Sequence, residues 1–162
     1  MTRKRWRARL LVPVLIAGLI SCASSGSSDD SFDETALERE VARLINAHRK
    51  ESNLPSFSYD DKVASVARKH SQDMAQGKVP LGHDGFKARI KEISEFLALA
   101  GAGENVSQHQ GKADFAERAV TEWLGSPVHR KNIDGDYGVT GVGAARSAEG
   151  TVFFTQIFVR VR

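Results

Sequence analysis

The chain has 162 residues, one cysteine and a net charge of +3, from 23 Lys and Arg against 20 Asp and Glu. Its length allows one compact domain beside a leader but not two, and the lone cysteine excludes an internal disulfide. Five of the basic residues fall within the first nine positions, and without them the net charge drops from +3 to −2, so no basic patch remains to bind nucleic acid.

Residues 1–21 have the layout of a secretory signal peptide. The basic residues between Arg3 and Arg9 precede an apolar run over 10–20, which only Pro13 and Gly18 interrupt. The run is 11 residues long, whereas a transmembrane helix needs roughly 20. We therefore predict export and removal of this segment rather than a permanent membrane span.

The apolar run ends in Leu19-Ile20-Ser21-Cys22, which resembles the lipobox of bacterial lipoproteins. The resemblance implies cleavage before Cys22, a diacylglyceryl thioether on Cys22 and acylation of the new amino group with a palmitate-type chain. Two or more acyl chains anchor a protein stably to a membrane. An ordinary secretory signal with an incidental cysteine is the alternative. In a cell with two membranes, Ala23 favours the outer one, because an aspartate there commonly retains lipoproteins at the inner membrane.

Residues 22–33 are predicted to form the lipidated cysteine and a tether. Ser, Gly and Asp dominate the segment Ala23–Asp33, as is typical of a flexible linker. Fully extended, this linker reaches about 40 Å. Residues 34–162 are then expected to form one domain, a monomer, on the extracytoplasmic side of the membrane or in the periplasm.

Two helices are predicted in the first half of the domain. Thr35 and Glu38 match a capping box, and apolar residues follow at helical spacing over 37–48. An aspartate at 60 or 61 can cap a second helix, whose inward positions run over 63–74.

Three further helices are expected after residue 80. Asp84 can cap one with apolar positions over 86–97, which the Gly-Ala run at 100–103 ends. Another carries its apolar positions over 115–124. Ser126-Pro127 fits a cap followed by proline at the first helical position, starting a short helix through Asn132.

The last part of the chain changes to a β pattern. Residues 139–145 are interrupted by glycine but β-like, and residues 152–161 are rich in β-branched and aromatic side chains. A turn at 147–150 makes the pair a predicted hairpin, and residues 104–107 are a further strand candidate. Helices with a small antiparallel sheet indicate an α+β domain in which the helices pack on the sheet.

Several common catalytic motifs are absent from the sequence, among them G-x-S-x-G, H-E-x-x-H and the P-loop. The nearest phosphate-loop candidate is Gly111-Lys112, which lacks the upstream glycine and the following Ser or Thr. With Cys22 lipidated, no thiol remains as a nucleophile. Nucleotide chemistry and the usual hydrolase mechanisms therefore have no support in the sequence.

Six segments, taken in order, resemble the bacterial branch of the CAP superfamily, which includes cysteine-rich secretory proteins, wasp-venom antigens and plant pathogenesis-related proteins. The resemblance spans about residues 37–159 and implies a three-layer α-β-α sandwich with a cleft on one side. Each segment is a weak signal alone, and the order and spacing of all six carry the resemblance. The segments are Leu44–Arg49, Ala67–Met74, Gly82–Phe86, Gly103–Val106, Trp123–Ile133 and Phe154–Gln156.

In many members of that superfamily two histidines and two glutamates line the cleft and can bind a divalent metal. The resemblance places His83 and Glu104 at one histidine and one glutamate of this tetrad. The other two positions fall on Ser126 and Phe153, so half of the tetrad is missing. His129, in a Ser-Pro-x-His-Arg-x-Asn-Ile segment typical of bacterial members, is a candidate to face the same cleft.

The three candidates could hold zinc only if their side chains converge, because a catalytic zinc usually takes three protein ligands. With metal, Glu104 or a bound water could act as a base; without it, a His–Glu pair can still bind a polar group or exchange a proton. Plainer roles are also open. Glu104 could accept backbone hydrogen bonds, and His129 could fix the short helix.

The other histidines are given structural roles. His70 lies on an apolar helical face and is expected to be a hydrogen-bonded histidine of the core or cleft edge. His48 is expected to pack between helices. His109, between Gln108 and Gln110, is expected to be exposed to solvent in a polar loop.

Three functions remain open. The favoured hypothesis is a non-enzymatic binding module, anchored to the membrane, for a lipid or cell-wall ligand. The alternative is a metal-assisted hydrolase that acts on peptide or cell-wall substrates through His83, Glu104 and His129. The third is a structural or adhesive envelope protein that uses its surface rather than the cleft. Family membership alone does not choose among them.

Overall fold

A computed structural model describes residues 32–111 and 113–162, and the compact unit of the domain begins at Phe32. The predicted signal peptide, Cys22 and most of the tether lie outside the described residues. Five helices and four strands follow one another in the order α1 Glu34–Glu51, β1 Ser58–Tyr59, α2 Asp61–Ala75, α3 Phe86–Ser94, β2 Leu99–His109, α4 Phe115–Gly125, α5 Pro127–Ile133, β3 Val139–Arg146 and β4 Val152–Val161.

The four strands form one sheet in the order β1-β3-β4-β2. β4 is central and pairs antiparallel with β2 and β3, and the short strand β1 adds to β3 in parallel. The α+β fold class and the α-β-α sandwich predicted from the sequence are confirmed. The sheet is mixed rather than purely antiparallel, because the two-residue strand β1 extends it beyond the predicted hairpin.

Side chains of β4 alternate between two hydrophobic layers, because successive residues of a strand point to opposite faces. Phe154 and Phe158 pack with α1, α4 and α5 on one face. Ile157 and Val159 pack with α2 and α3 on the other. All four side chains are fully buried, so the central strand carries the core of both layers.

The helix caps agree with the sequence in part. Asp60 caps α2 by accepting from the backbone N–H groups of Lys62 and Val63, and Ser126 precedes Pro127 as predicted. α1, however, begins earlier than the capping box suggested, because Asp33 accepts from the N–H of Ala36 at 2.9 Å.

Two other predicted boundaries were wrong. α3 is preceded by Gly85 rather than capped by Asp84, and Gly85 has a left-handed φ of 78°. The run over 100–103 does not merely end a helix but lies inside β2. Glycine is favoured at position 103 because a side chain there would collide with Asn132: a Cβ atom would lie 2.8 Å from the Asn132 Oδ1 atom.

Helix α2 lies directly against β3 at two glycines. A Cβ on Gly141 would lie 2.2 Å from the backbone N of Ala64, and one on Gly143 would lie 2.0 Å from that of Arg68. Real atoms do not approach so closely, so only glycine allows this contact between helix and strand.

Side chains occupy the part of the outer edge of β3 that β1 does not cover. The Tyr59 hydroxyl donates to the Val142 carbonyl at 3.2 Å, and Glu38 accepts from the Ala144 N–H at 3.0 Å. Glu38 is 1% exposed and also receives two hydrogen bonds from Arg68. A buried carboxylate is thereby paired and fully bonded, as its burial requires.

The outer edge of β2 is covered in the same way. The Trp123 indole N–H donates to the Val106 carbonyl at 3.1 Å, and the Asn132 amide donates to the Glu104 carbonyl at 3.2 Å. Covering an edge strand blocks its pairing with other strands. None of the described helices is long and apolar enough to cross a membrane.

Candidate functional site

Glu104, Arg89 and His83 form a compact polar cluster at the edge strand β2. The Arg89 guanidinium donates to both carboxylate oxygens of Glu104, at 2.8 Å and 2.7 Å, and the His83 Nδ1 atom lies 2.9 Å from Oε1. The side chain of Glu104 is 2% exposed and that of Arg89 is 11% exposed, whereas that of His83 is 50% exposed. The cluster is therefore a buried ion pair with one histidine at its solvent side.

The loop that carries His83 is held from two sides. The Arg89 Nη1 atom donates to the Asp84 carbonyl at 2.7 Å, and the His70 Nε2 atom lies 2.8 Å from the Gly82 carbonyl oxygen. Since a carbonyl oxygen only accepts, His70 donates this bond. Burial lowers the pKa of His70, an effect that the bond to Gly82 opposes. His70 is thus the hydrogen-bonded, buried histidine that the sequence indicated.

His129 lies on α5, which packs on the other face of the sheet. The Asn105 amide donates to the His129 carbonyl at 3.1 Å, and Asn132 donates to the Asn105 Oδ1 atom at 2.9 Å. The buried side chain of Asn105 therefore ties α5 to β2. The His129 Nδ1 atom is enclosed without a hydrogen-bond partner among the described residues. Burial lowers the pKa of His129, while Glu122 opposes that shift and His83 reinforces it.

The structure thus brings the His83 and Glu104 side chains into contact. His129 adjoins the same strand through the hydrogen bond from Asn105, the residue after Glu104. We name these three residues the His83–His129 site. A pocket of about 290 Å³ lies beside it between α2 and α3. Its lining includes Lys69, His70, Asp84, Arg89 and Glu92.

The three residues do not fit the metal centre considered for them. Both oxygens of Glu104 already accept from Arg89, and one of them also contacts His83. The guanidinium supplies the positive charge that a divalent cation would otherwise bring to this carboxylate. Within residues 32–111 and 113–162, no group of three or more His, Cys, Asp or Glu side chains is arranged to hold a metal ion. The zinc site stays a prediction, and these contacts speak against it.

The prediction that His109 is exposed was also wrong. β2 continues through His109, and its ring is 7% exposed and packs near Phe154. Its Nε2 atom lies 3.2 Å from the Ser107 hydroxyl and 3.6 Å from a Glu122 oxygen. Ser107 and Glu122 both contact the Nε2 atom of His109, and Ser107 is buried. A Ser-His-acid triad needs the serine at one ring nitrogen and the acid at the other, so these three residues do not form one.

Sequence reasoning missed Arg89 as a partner of the site. Arg89 lies four residues before the buried Ile93 on α3, so it shares the inward face of that helix. A charged residue on an inward face needs a buried partner, and this signal was available in the sequence. His48 contacts Asp134 at 2.8 Å and stays outside the site.

Comparison with known proteins agrees with this architecture. The cysteine-rich secretory protein family, CAP, matches residues 42–158. The membrane protein YlbC of Bacillus subtilis is 31% identical over 134 residues, which are 78% of this chain and 35% of YlbC. YkwD of the same species is 30% identical over 129 residues, 77% of this chain and 48% of YkwD. The chain therefore spans between a third and a half of the length of these relatives.

Solved structures show the same fold. An extracellular protein from Bacillus anthracis that contains an SCP domain is similar with a TM-score of 0.63 and 29% identity, covering 78% of this chain and 41% of that one. An outer surface protein of Borrelia burgdorferi is similar with a TM-score of 0.68 and 19% identity. That match covers 80% of this chain and 96% of the Borrelia protein. The second likeness concerns the fold alone.

Proposed function

The chain belongs to the cysteine-rich secretory protein (CAP) family, and we propose that it is a membrane-anchored binding module that recognises a cell-envelope ligand at the His83–His129 site. The similar bacterial proteins include one described as extracellular and one named a membrane protein. Their names support a place outside the cytoplasm, which the leader also predicts.

One observation favours binding over catalysis: hydrogen bonds from Arg89 and His83 already occupy the carboxylate of Glu104. A general base needs a carboxylate that is free to accept a proton from the substrate. Glu104 is 2% exposed and accepts two hydrogen bonds from Arg89 as well as one from His83. It therefore serves to orient His83, whose half-exposed ring is the group that meets a ligand.

Binding to envelope material tests this function directly. The whole mature chain, with Cys22→Ser to remove the acyl chains, is incubated with isolated cell walls and with lipid vesicles, and the bound fraction is measured. We expect binding to one of them that His83→Ala weakens and His48→Ala leaves unchanged, since His48 contacts Asp134 outside the site. Release of wall fragments that stops on adding a chelator would instead support the metal-assisted hydrolase. Binding that survives both variants would support an adhesive surface.

The membrane anchor is a separate part of the proposal and rests on the sequence Leu19-Ile20-Ser21-Cys22. The full precursor is expressed in a bacterium with labelled palmitate, and the membrane fraction is assayed. We expect label on the wild-type chain and its loss, together with release from membranes, in Cys22→Ser. A Ser25→Ala variant should remain labelled and bound. Membrane retention of Cys22→Ser would contradict lipid anchoring and leave the domain's binding function untouched.

A further inference from the structure

The pocket between α2 and α3 plays no part in the proposed function. Its volume of about 290 Å³ is near the lower limit, about 300 Å³, of sites that take small organic molecules. Val66, Val79 and Ala88 form an apolar part of its wall, and charged side chains from both helices line the rest. None of the three residues of the His83–His129 site lines it, so it is a separate cavity.

Two acidic residues of this lining bring negative charge that the described part of the chain does not pair. Asp84 and Glu92 take part in none of the ion pairs among the described residues. The third acidic residue, Asp73, lies 3.4 Å from the Nζ atom of Lys78. The pocket therefore has two carboxylates that can take a cationic partner.

The two basic residues of the lining differ in the same way. The Arg89 guanidinium donates to both carboxylate oxygens of Glu104 and brings no free positive charge. Lys69 takes part in none of the ion pairs among the described residues. Lys69 comes from α2 and Glu92 from α3. The two helices thus bring opposite charges to one pocket.

His70 adds a buried hydrogen-bond acceptor. The residue is 4% exposed and lines the cavity. Its Nε2 atom donates to the Gly82 carbonyl at 2.8 Å, so Nδ1 carries a lone pair in the neutral ring. Burial lowers the pKa of His70, which favours that neutral ring. The Nδ1 atom is neither bonded to a described residue nor enclosed, so its lone pair is open to the cavity.

These groups select a ligand by its charge and its hydrogen-bond donors. A primary ammonium brings one positive charge and three N–H donors, which suit two carboxylates and one imidazole lone pair. A ligand with a carboxylate alone would meet like charges, which are unfavourable at close range, and would gain only Lys69. A metal ion is a poorer match, because the described residues contain no group of three or more His, Cys, Asp or Glu arranged to hold one.

We propose that the pocket between α2 and α3 binds a small free α-amino acid with an aliphatic side chain. The ammonium group of this ligand donates to Glu92, Asp84 and the Nδ1 atom of His70. Its carboxylate pairs with Lys69, and its side chain covers the apolar part of the wall. The site goes beyond the proposed function, since it shares no residue with the His83–His129 site.

Three probes with one carbon skeleton test this assignment. Leucine carries both charges, isoamylamine lacks the carboxylate and isocaproate lacks the ammonium. Each probe is titrated into the mature Cys22→Ser chain, and the Kd is measured by NMR. We expect leucine to bind most tightly and isoamylamine to bind about threefold more weakly. Isocaproate should bind at least about tenfold more weakly than leucine, because it leaves both carboxylates unpaired.

Two variants assign the charges to their walls, each with a control that makes the same change on an exposed residue outside the pocket. Glu92→Gln should weaken leucine and isoamylamine alike by about threefold to fivefold, whereas Glu95→Gln should weaken neither. Lys69→Met should weaken leucine about threefold but not isoamylamine, since only leucine has a carboxylate to pair. Lys87→Met should leave both probes unchanged.

The ¹⁵N resonance of the His70 Nδ1 atom reports on the buried acceptor itself. In the unliganded chain it should have the chemical shift of an unprotonated ring nitrogen. Leucine and isoamylamine should move it toward the shift of a nitrogen that accepts a hydrogen bond, and isocaproate should not. A resonance that none of the probes moves would show that the amine binds elsewhere and would overturn the proposal.

The remaining outcomes separate this inference from the proposed function. Isocaproate that binds as tightly as leucine, or equal effects of Glu92→Gln and Glu95→Gln, would overturn the site. Equal binding of leucine and isoamylamine would overturn the amino acid in favour of a plain amine, and no binding at millimolar concentrations would overturn both. None of these results changes wall or vesicle binding that depends on His83, and loss of that binding leaves the amino-acid pocket standing.

Discussion

At the scale of single residues, the Arg89–Glu104 pair governs the stability of the site. Both side chains are nearly buried, and removing one member of such a pair leaves an uncompensated charge in the interior. We expect Arg89→Met to lower the free energy of unfolding by about 3–5 kcal/mol, measured by urea denaturation. The double variant Arg89→Met with Glu104→Leu should lose clearly less than the sum of the single changes. A loss below about 1 kcal/mol for Arg89→Met would show that the pair is well hydrated.

His70 and His129 allow a comparison between a hydrogen-bonded ring and a ring whose enclosed nitrogen has no partner. His70 donates to the Gly82 carbonyl, whereas the Nδ1 atom of His129 has no partner among the described residues. His70→Phe should cost about 1–3 kcal/mol, because it removes the donor from a carbonyl that loses its partner. His129→Phe should leave the free energy of unfolding unchanged or raise it. Equal losses of stability in the two variants, measured by thermal unfolding, would show that the His129 Nδ1 atom has a hydrogen-bond partner after all.

At the scale of secondary structure, the contact between α2 and β3 depends on glycine. A Cβ on Gly143 would lie 2.0 Å from the backbone of Arg68, and backbone yields less readily than a flexible side chain. We expect Gly143→Ala to destabilise the fold by about 3 kcal/mol or more, at or above the upper end of overpacking costs. Gly125, at the end of α4, has no neighbour within 4 Å of such a Cβ. Gly125→Ala should therefore be neutral or slightly stabilising in the same chemical denaturation assay.

The helices and the hairpin could be predicted because their signals are local. Apolar spacing and the caps at Asp60 and Ser126 lie within each segment. β1 could not be predicted, because two residues carry no periodicity and their pairing with β3 is made by the fold. The start of β2 was missed because Gly101 and Gly103 look like a break until Asn132 and Arg160 are placed beside them.

The candidate site was predictable only as far as the family resemblance reached. The motifs drew attention to His83, Glu104 and His129, but the distances among them depend on the packing of α3 and α5 against β2. The partner that decides the chemistry of Glu104, Arg89, lies outside the motifs. Without Arg89, the carboxylate of Glu104 looks like a metal ligand, and with it the carboxylate is already neutralised.

For the molecule as a whole, three histidines with lowered pKa values make stability depend on pH. Burial lowers the pKa values of His70, His109 and His129 in the folded protein, while the unfolded chain keeps histidine pKa values of about 6.5. Below that pH the unfolded chain binds more protons than the folded one, so stability falls as pH falls. Above a pH of about 6.5, all three rings are neutral in both the folded and the unfolded chain, so their effect on stability no longer changes with pH.

Thermal unfolding at two pH values measures this linkage. We expect a lower Tm at about pH 5.5 than at about pH 7.5, a range that stays above the titration of most carboxyl groups. His70→Gln, which keeps a donor but cannot titrate, should reduce the difference between the two melting temperatures. An equal or higher Tm at the lower pH would show that these rings are charged in the folded state.

The side chains along the outer edges of β2 and β3 limit strand pairing between copies of this protein that are crowded together on a membrane. Tyr59, Glu38, Trp123 and Asn132 already engage main-chain groups that an incoming strand would need. A neighbouring copy therefore finds no continuous row of vacant amides and carbonyls to extend along these described strands. Copies concentrated on one bilayer by the proposed lipid anchor would be protected from swapping strands or seeding cross-β aggregates.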